Sequence, residues 1–163
     1  MSRDYCLQFS YQLSPALIVY GGKITTYRQL AADAIDRLKP LFPGLKPSQT
    51  DSTPLPGSLT PPGMNYETTI QQLKERYDWL DRTILNRLIA NYGSRVDKIL
   101  CDFKQIRELG QDFGHGLYQA EVDYLIKQEW ATTAEDILWR RTKLGLIFSP
   151  HEKQLLATYL SKR

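Results

Sequence analysis

The residues best suited to chemistry in this sequence run Gly21-Gly22-Lys23-Ile24-Thr25-Thr26-Tyr27-Arg28. A short apolar run, Ala16-Leu17-Ile18-Val19-Tyr20, feeds two glycines and passes directly into a helical pattern. Glycine tolerates positive φ and lets a ligand approach the backbone closely. A helix starting at such a point presents N–H groups with no intrahelical acceptor, together with the positive end of its dipole. The corner therefore suits an anion, or an atom on which negative charge develops. Lys23 adds a full positive charge there. The same residues also make an ordinary strand–turn–helix corner with a solvated lysine. Their spacing matches neither GxxxxGK[ST] nor GxGxxG, so no phosphate loop and no dinucleotide fingerprint is present.

A second cluster, Trp139-Arg140-Arg141-Thr142-Lys143, sets four polar residues, three of them basic, beside an aromatic. It could meet anionic lipid or a partner protein. The favoured expectation is plainer: Trp139 packs in the core while the arginines bind acidic residues or carbonyls at a helix C-terminus. Glu121, Asp123 and Glu129 are the candidate acids. Asp112-Phe113-Gly114 has the letters of a kinase metal-binding triplet, but no HRDxxxxN or VAIK accompanies it, so it carries no such role. His115, between two glycines, is expected to be a loop or capping residue, and His151 an exposed residue in a first helical turn. Neither has metal-ligand spacing. Cys6 and Cys101 are expected to be small buried hydrophobes. Asp4, Asp33 and Asp36 show no paired arrangement for acid–base work. No residue is assigned to catalysis and none to a metal.

The elements that must position these groups follow from periodicity. Tyr5, Leu7, Phe9, Tyr11 and Leu13 alternate, the pattern of a strand with one buried face, so a strand is predicted over 4–13. The continuous apolar run at 16–20 reads as a fully buried strand. A helix is predicted over 26–39, with Tyr27, Leu30, Ala31, Ala34 and Leu38 on one face and Thr25 or Thr26 as N-cap. Seven of the nine prolines lie in residues 40–63. Proline fixes φ and removes a donor, and the stretch is longer than loops within one compact domain, so it reads as a linker. Leu55-Pro56-Gly57 within it is expected to dock on one of the domains. From Asn65 the apolar residues recur in threes and fours, giving a bundle of about five or six helices. Gly93 is a C-cap, Thr132-Thr133-Ala134-Glu135-Asp136 offers overlapping capping boxes, and Ser149-Pro150-His151-Glu152 opens the last helix.

Composition closes off several classes. The chain has 163 residues, 42% hydrophobic and 24% charged, which is a globular composition. No apolar run approaches the roughly 20 residues of a membrane-spanning helix. No signal-peptide pattern opens the sequence. Two cysteines build neither a disulfide framework nor a zinc site. A net charge of +3 is too even to argue for nucleic acid.

Four blocks in series, YGGKITTYRQLAADAIDRL, Leu55-Pro56-Gly57, LGQDFGHGLYQAEVDYLI and EWATTAEDILWRRTKLGL, resemble the C-terminal portion of FAD-dependent (aerobic) glycerol-3-phosphate dehydrogenases. The resemblance runs from about residue 3 to 163. It implies a mainly α fold: a short strand pair and helix that end an FAD-binding α/β domain (1–39), a proline-rich linker (40–64) and a helical cap domain (65–163). It implies oxidation of sn-glycerol 3-phosphate to dihydroxyacetone phosphate in the complete enzyme, with electrons passing to a quinone or to oxygen. Gly22, Lys23, Ile24 and Thr25 would contact the flavin, and Lys23 would reach either the flavin or the substrate phosphate. Tyr27, expected to be core, and Arg28, expected to pair with a surface carboxylate, also match. The remaining partners are the rest of the flavoenzyme chain and, by peripheral contact, the inner face of a membrane, in a cytoplasmic setting without nucleic acid. Alone, the chain is expected to bind no FAD, to be inactive and to self-associate through its N-terminal hairpin. The alternative is a free-standing helical protein-interaction module without catalysis.

Overall fold

Alternation at Tyr5, Leu7 and Phe9 builds β1 (Tyr5–Ser10), which half-buries these residues and leaves Cys6 and Gln8 exposed. In the computed structural model, which describes residues 4–12, 14–58, 65–100 and 102–162, β1 pairs antiparallel with β2 (Ala16–Gly21). The register runs from Tyr5 opposite Gly21 to Ser10 opposite Ala16. Leu13, residues 59–64 of the expected linker and Cys101 lie outside the described residues.

Two expectations for this hairpin are corrected. β2 is not buried: Ile18, Val19 and Tyr20 are all exposed, Tyr20 by 51%. Among the described residues its sheet has two strands, so an apolar run that could fill the middle of a larger sheet lies at an edge. Cys6 is likewise exposed, because it points away from the face that β1 half-buries.

After β2 a 3₁₀ turn (Ile24–Thr26) leads into α1 (Tyr27–Leu38). Thr26 stands at the N-cap position of α1 as expected, but its side chain does not cap. The Thr26 hydroxyl donates to the Lys23 carbonyl (2.9 Å) instead of accepting from a helix N–H, since the extra 3₁₀ turn moves the chain entry one turn back. Leu30 and Leu38 are half-buried and Ala32 is buried, whereas Ala31 and Tyr27 are exposed. The Tyr5 hydroxyl donates to the Asp33 carboxylate, which also accepts from Gln29 (2.7 Å), so β1 is tied to α1.

The chain divides into two compact units, Met1–Pro54 and Leu55–Arg163. The second holds α2 (Tyr66–Arg76), α3 (Arg82–Tyr92), α4 (Val96–Leu100), α5 (Gln119–Glu129), a π-helical segment (Asp136–Arg141) and α6 (Pro150–Leu160). Side-chain caps start three of them: Asn65 accepts from Thr68 N–H, Asp81 from Thr83 N–H, and Ser149 with Glu152 forms the capping box expected from sequence. Leu85, Val96, Phe113, Leu117, Leu125 and Leu156 lie at the centre of one continuous core. The protein is thus mainly helical, with an antiparallel hairpin at its N-terminal side.

Leu55-Pro56-Gly57 is seated on the end of α3. The Gly57 carbonyl accepts from Ser94 N–H (2.9 Å), and a Cβ on Gly57 would lie 2.7 Å from the Tyr92 carbonyl oxygen. Gly93 faces it with φ 54°, and a Cβ there would collide with the Gly57 carbonyl. Gly93→Ala is therefore expected to cost about 1–3 kcal/mol through strain and displacement of this contact. Chemical denaturation checks this, and an unchanged midpoint would show that the two glycines meet without constraint.

Candidate functional site

The Gly21–Arg28 corner has the conformation that its glycines require. Gly21 and Gly22 both have positive φ, 76° and 99°. Part of the reason is packing: a Cβ on Gly21 would lie 3.0 Å from the Asp4 carbonyl, and one on Gly22 3.4 Å from Leu30 and 3.5 Å from Tyr5. The glycines let β2 turn tightly into α1 on their inner side. On the outer side Gly22, Lys23, Ile24 and Thr25 are all exposed, Ile24 by 89%. Lys23 is extended, and its carbonyl accepts from Thr26 N–H (3.1 Å) and the Thr26 hydroxyl. Ile24 and Thr25 open the helical run, so no preceding turn supplies acceptors for their N–H groups. Among the described residues no carboxylate pairs with Lys23. The result is an exposed helix start with an ammonium that no carboxylate among the described residues pairs, an arrangement able to take a negatively charged group.

Tyr27 and Arg28 do not join this set as expected. Tyr27 is 61% exposed and so is not the core residue expected. Arg28 meets the Thr50 hydroxyl (3.4 Å) and no carboxylate among the described residues.

In the second unit the basic cluster resolves into separate roles. Arg140 pairs with Asp136 (2.9 Å). Arg141 donates through Nε and Nη2 to the Glu129 carbonyl at the C-terminus of α5 (3.2 and 2.8 Å). Lys143 donates to the Trp139 carbonyl. The arginines thus serve an acid and a helix end, as expected. Of the candidate acids only Glu129 lies near them: Asp123 accepts from the Tyr159 hydroxyl and Glu121 serves a different network. Trp139 is 36% exposed, so it is not the core residue expected; its ring covers Gly145 and Lys153 lies over it. Asp136 takes the capping role at Thr132-Thr133. The N–H of Thr132 foremost, then the hydroxyl and N–H of Thr133, hold its carboxyl far below the usual carboxylate range.

A buried ionic network escaped the sequence reading. Glu121, 2% exposed, accepts from Arg87 Nη1 (2.7 Å), Arg87 Nη2 (2.6 Å) and the Tyr92 hydroxyl (2.7 Å). Arg87 Nη2 also donates to the Gly116 carbonyl (2.8 Å). Burial, then the Glu121 carboxylate, push the Tyr92 hydroxyl well above the ordinary phenol range. The signal available was Arg87 inside the apolar stripe Ile84-Leu85-Leu88-Ile89, and Glu121 between Leu117 and Val122. The loop so anchored carries three consecutive positive-φ residues, Gly114, His115 and Gly116. His115 is a loop residue 3.6 Å from Glu152, and His151 is exposed, both as expected. Asp112 accepts from Gly114 N–H in a local turn, and Phe113 is core.

Comparison with known proteins gives consistent similarities. Residues 48–160 match the family described as the C-terminal domain of alpha-glycerophosphate oxidase. Over 162 residues, 98% of this chain, the sequence is 46% identical to a glycerol-3-phosphate dehydrogenase of Pseudomonas aeruginosa, of which it covers 31%. It is 35% identical to the aerobic glycerol-3-phosphate dehydrogenase of Escherichia coli, covering 98% of this chain and 32% of that one. To the D-erythritol 1-phosphate dehydrogenase of Brucella abortus it is 42% identical, over 94% of this chain and 30% of that one. The chain spans about a third of the length of these relatives.

Proposed function

Because the chain belongs to the family of the C-terminal domain of alpha-glycerophosphate oxidase, we propose that it forms the C-terminal part of an FAD-dependent dehydrogenase of polyol phosphates. The proposed reaction is oxidation of sn-glycerol 3-phosphate to dihydroxyacetone phosphate. The supporting observation is that similarity to the relatives runs through both compact units, so the Gly21–Arg28 corner and the helical unit go together as one piece. A free-standing helical module would leave the hairpin and its glycine corner without a reason, and that alternative is not favoured.

FAD, when bound, supplies the hydride acceptor, and its reduction leaves negative charge on the pyrimidine edge of its ring. The corner suits such a group: Gly22, Lys23, Ile24 and Thr25 are exposed, and among the described residues no carboxylate pairs with Lys23. Ile24 and Thr25 would present N–H groups to that edge, and Gly22 would allow close approach. Lys23 would hold either the ring edge or the substrate phosphate. The proposal takes a quinone as acceptor and, since quinones are lipid-soluble, includes peripheral contact with the inner face of a membrane. Among the described residues no helix is long and apolar enough to cross one.

The test is a chimera in which this chain replaces the matching third of the Pseudomonas aeruginosa relative. It should oxidise glycerol 3-phosphate with a dye acceptor. A folded, flavin-loaded chimera without that activity would count against the reading. The same assay with D-erythritol 1-phosphate decides between the two polyols by kcat/KM, since the Brucella relative raises the second.

By itself the purified chain should be colourless and inactive with both substrates. A stoichiometric yellow flavin would show that this piece alone builds the cofactor site. Strand β2 offers an edge of Ile18, Val19 and Tyr20 without a charge, and such edges pair with other strands. Self-association of the isolated chain through the hairpin is therefore expected. Val19→Lys should return it to monomer in sedimentation velocity, and an unchanged distribution would place the contact elsewhere.

A further inference from the structure

The second unit displays large apolar side chains around the π-helical segment. Trp130 is 86% exposed, Leu146 74%, Ile147 58% and Trp139 36%. The segments that carry them are joined. The Trp139 ring lies on Gly145, next to Leu146, and Arg141 reaches across to the Glu129 carbonyl, next to Trp130. Scattered exposed hydrophobes are unremarked on most surfaces, but two tryptophans with Leu146 and Ile147 on joined segments mark an interaction surface.

Trp130 carries a second anomaly. It ends α5 in the left-handed conformation, with φ 57°, where glycine or asparagine is ordinarily used. The chain thus holds a bulky residue in an unfavourable backbone conformation and leaves it in water. Packing within this unit does not compensate for either cost. A surface that covers Trp130 would compensate for the exposure.

The charges nearby are of both signs. Asp136 is taken up by the Thr132-Thr133 cap and Arg140, Glu152 by the α6 capping box, and Glu129 lies beside Arg141. Lys143 is exposed, and Lys153 extends over the Trp139 ring. The rim is mixed in charge around an apolar centre, with exposed Glu135 as well as Lys143 and Lys153.

We infer that the surface made by Trp130, Trp139, Leu146 and Ile147 docks against the other two thirds of the same enzyme chain, the part that the relatives have and this sequence does not include. The inference rests on the reading of this chain as one part of a longer flavoenzyme. Relatives about three times as long leave ample protein to cover the patch.

Hydroxyl-radical footprinting of the chain alone and of the Pseudomonas chimera tests it residue by residue. Oxidation of Trp130, Leu146 and Ile147 should be fast in the isolated chain and several-fold slower in the chimera. The paired substitution Trp130→Ser and Leu146→Ser should leave the isolated chain's Tm unchanged, while lowering that of the chimera. Equal oxidation rates in both proteins, or a chimera indifferent to the paired substitution, would overturn the inference. So would protection of the isolated chain that rises with its own concentration, which assigns the patch to a second copy. Protection by phosphatidylglycerol vesicles, seen equally in the chimera, would assign it to lipid and also overturn it. The footprint reads the patch whether or not the chimera turns over substrate. A protected but inactive chimera would fault the functional reading alone, and an active but unprotected one the docking surface alone.

Discussion

Glu121→Ala is expected to destabilise the helical unit by about 3–5 kcal/mol, the usual consequence of removing one partner from a buried ion pair. Glu121 is 2% exposed and takes three hydrogen bonds, two from Arg87 and one from Tyr92. Alanine would strand a guanidinium whose Nε is already buried without a partner among the described residues. It would also leave the Tyr92 hydroxyl unpaired. Because domains are stable by only about 5–15 kcal/mol, a loss of this size would show as a large fall in the urea midpoint. The double variant Arg87→Met with Glu121→Met removes both charges together and should recover much of the loss. If Glu121→Ala costs under about 1 kcal/mol, as most surface changes do, the network is not the anchor described here.

Lys23→Ala in the chimera is expected to lower kcat/KM by about ten- to a hundredfold, equivalent to one charge-assisted hydrogen bond of about 1.5–3 kcal/mol. A positive charge beside the start of a helix is unfavourable unless an anion sits between them. No carboxylate among the described residues plays that part, which the proposed function leaves to a bound anion. A rise in KM with kcat unchanged would assign Lys23 to the substrate phosphate. A fall in kcat with a lowered flavin potential would assign it to the reduced ring. Arg140→Ala provides the contrast: its ion pair with Asp136 is 57% exposed at the arginine and should matter little to either parameter. A silent Lys23→Ala beside a crippling Arg140→Ala would move the functional centre to the other unit.

Local signals in the sequence carried over to the structure where short-range physics decides. Ser149-Pro150-His151-Glu152 forms a capping box because a serine hydroxyl and a glutamate three residues later satisfy each other's backbone donors whatever surrounds them. Gly21 and Gly22 take positive φ because the strand must turn at once into a helix. The stripes of α3 and α4 bury Leu85, Leu88, Val96 and Ile99, as a 3.6-residue period requires. The order of strand pair, helix and helical bundle was legible for the same reason.

Partnership was not legible, because it depends on which residues distant in sequence come within a few ångströms. Nothing in the letters joins Glu121 to Arg87, 34 positions away, in preference to Arg140 or Arg141. Burial of β2 was misjudged because an apolar run states what a strand could cover, and only the number of neighbouring strands states what it does cover. Trp139 and Trp130 were equally undetermined, since the same indole can fill a core or be displayed on a surface. The sequence by itself determined the order of the elements, the capping box of the last helix, the turn at Gly21-Gly22 and the family. The tertiary structure alone decided which charges are buried together and which apolar side chains remain uncovered. Caps and periods are set by bonds spanning three or four residues, whereas burial is a property of everything that folds around a residue.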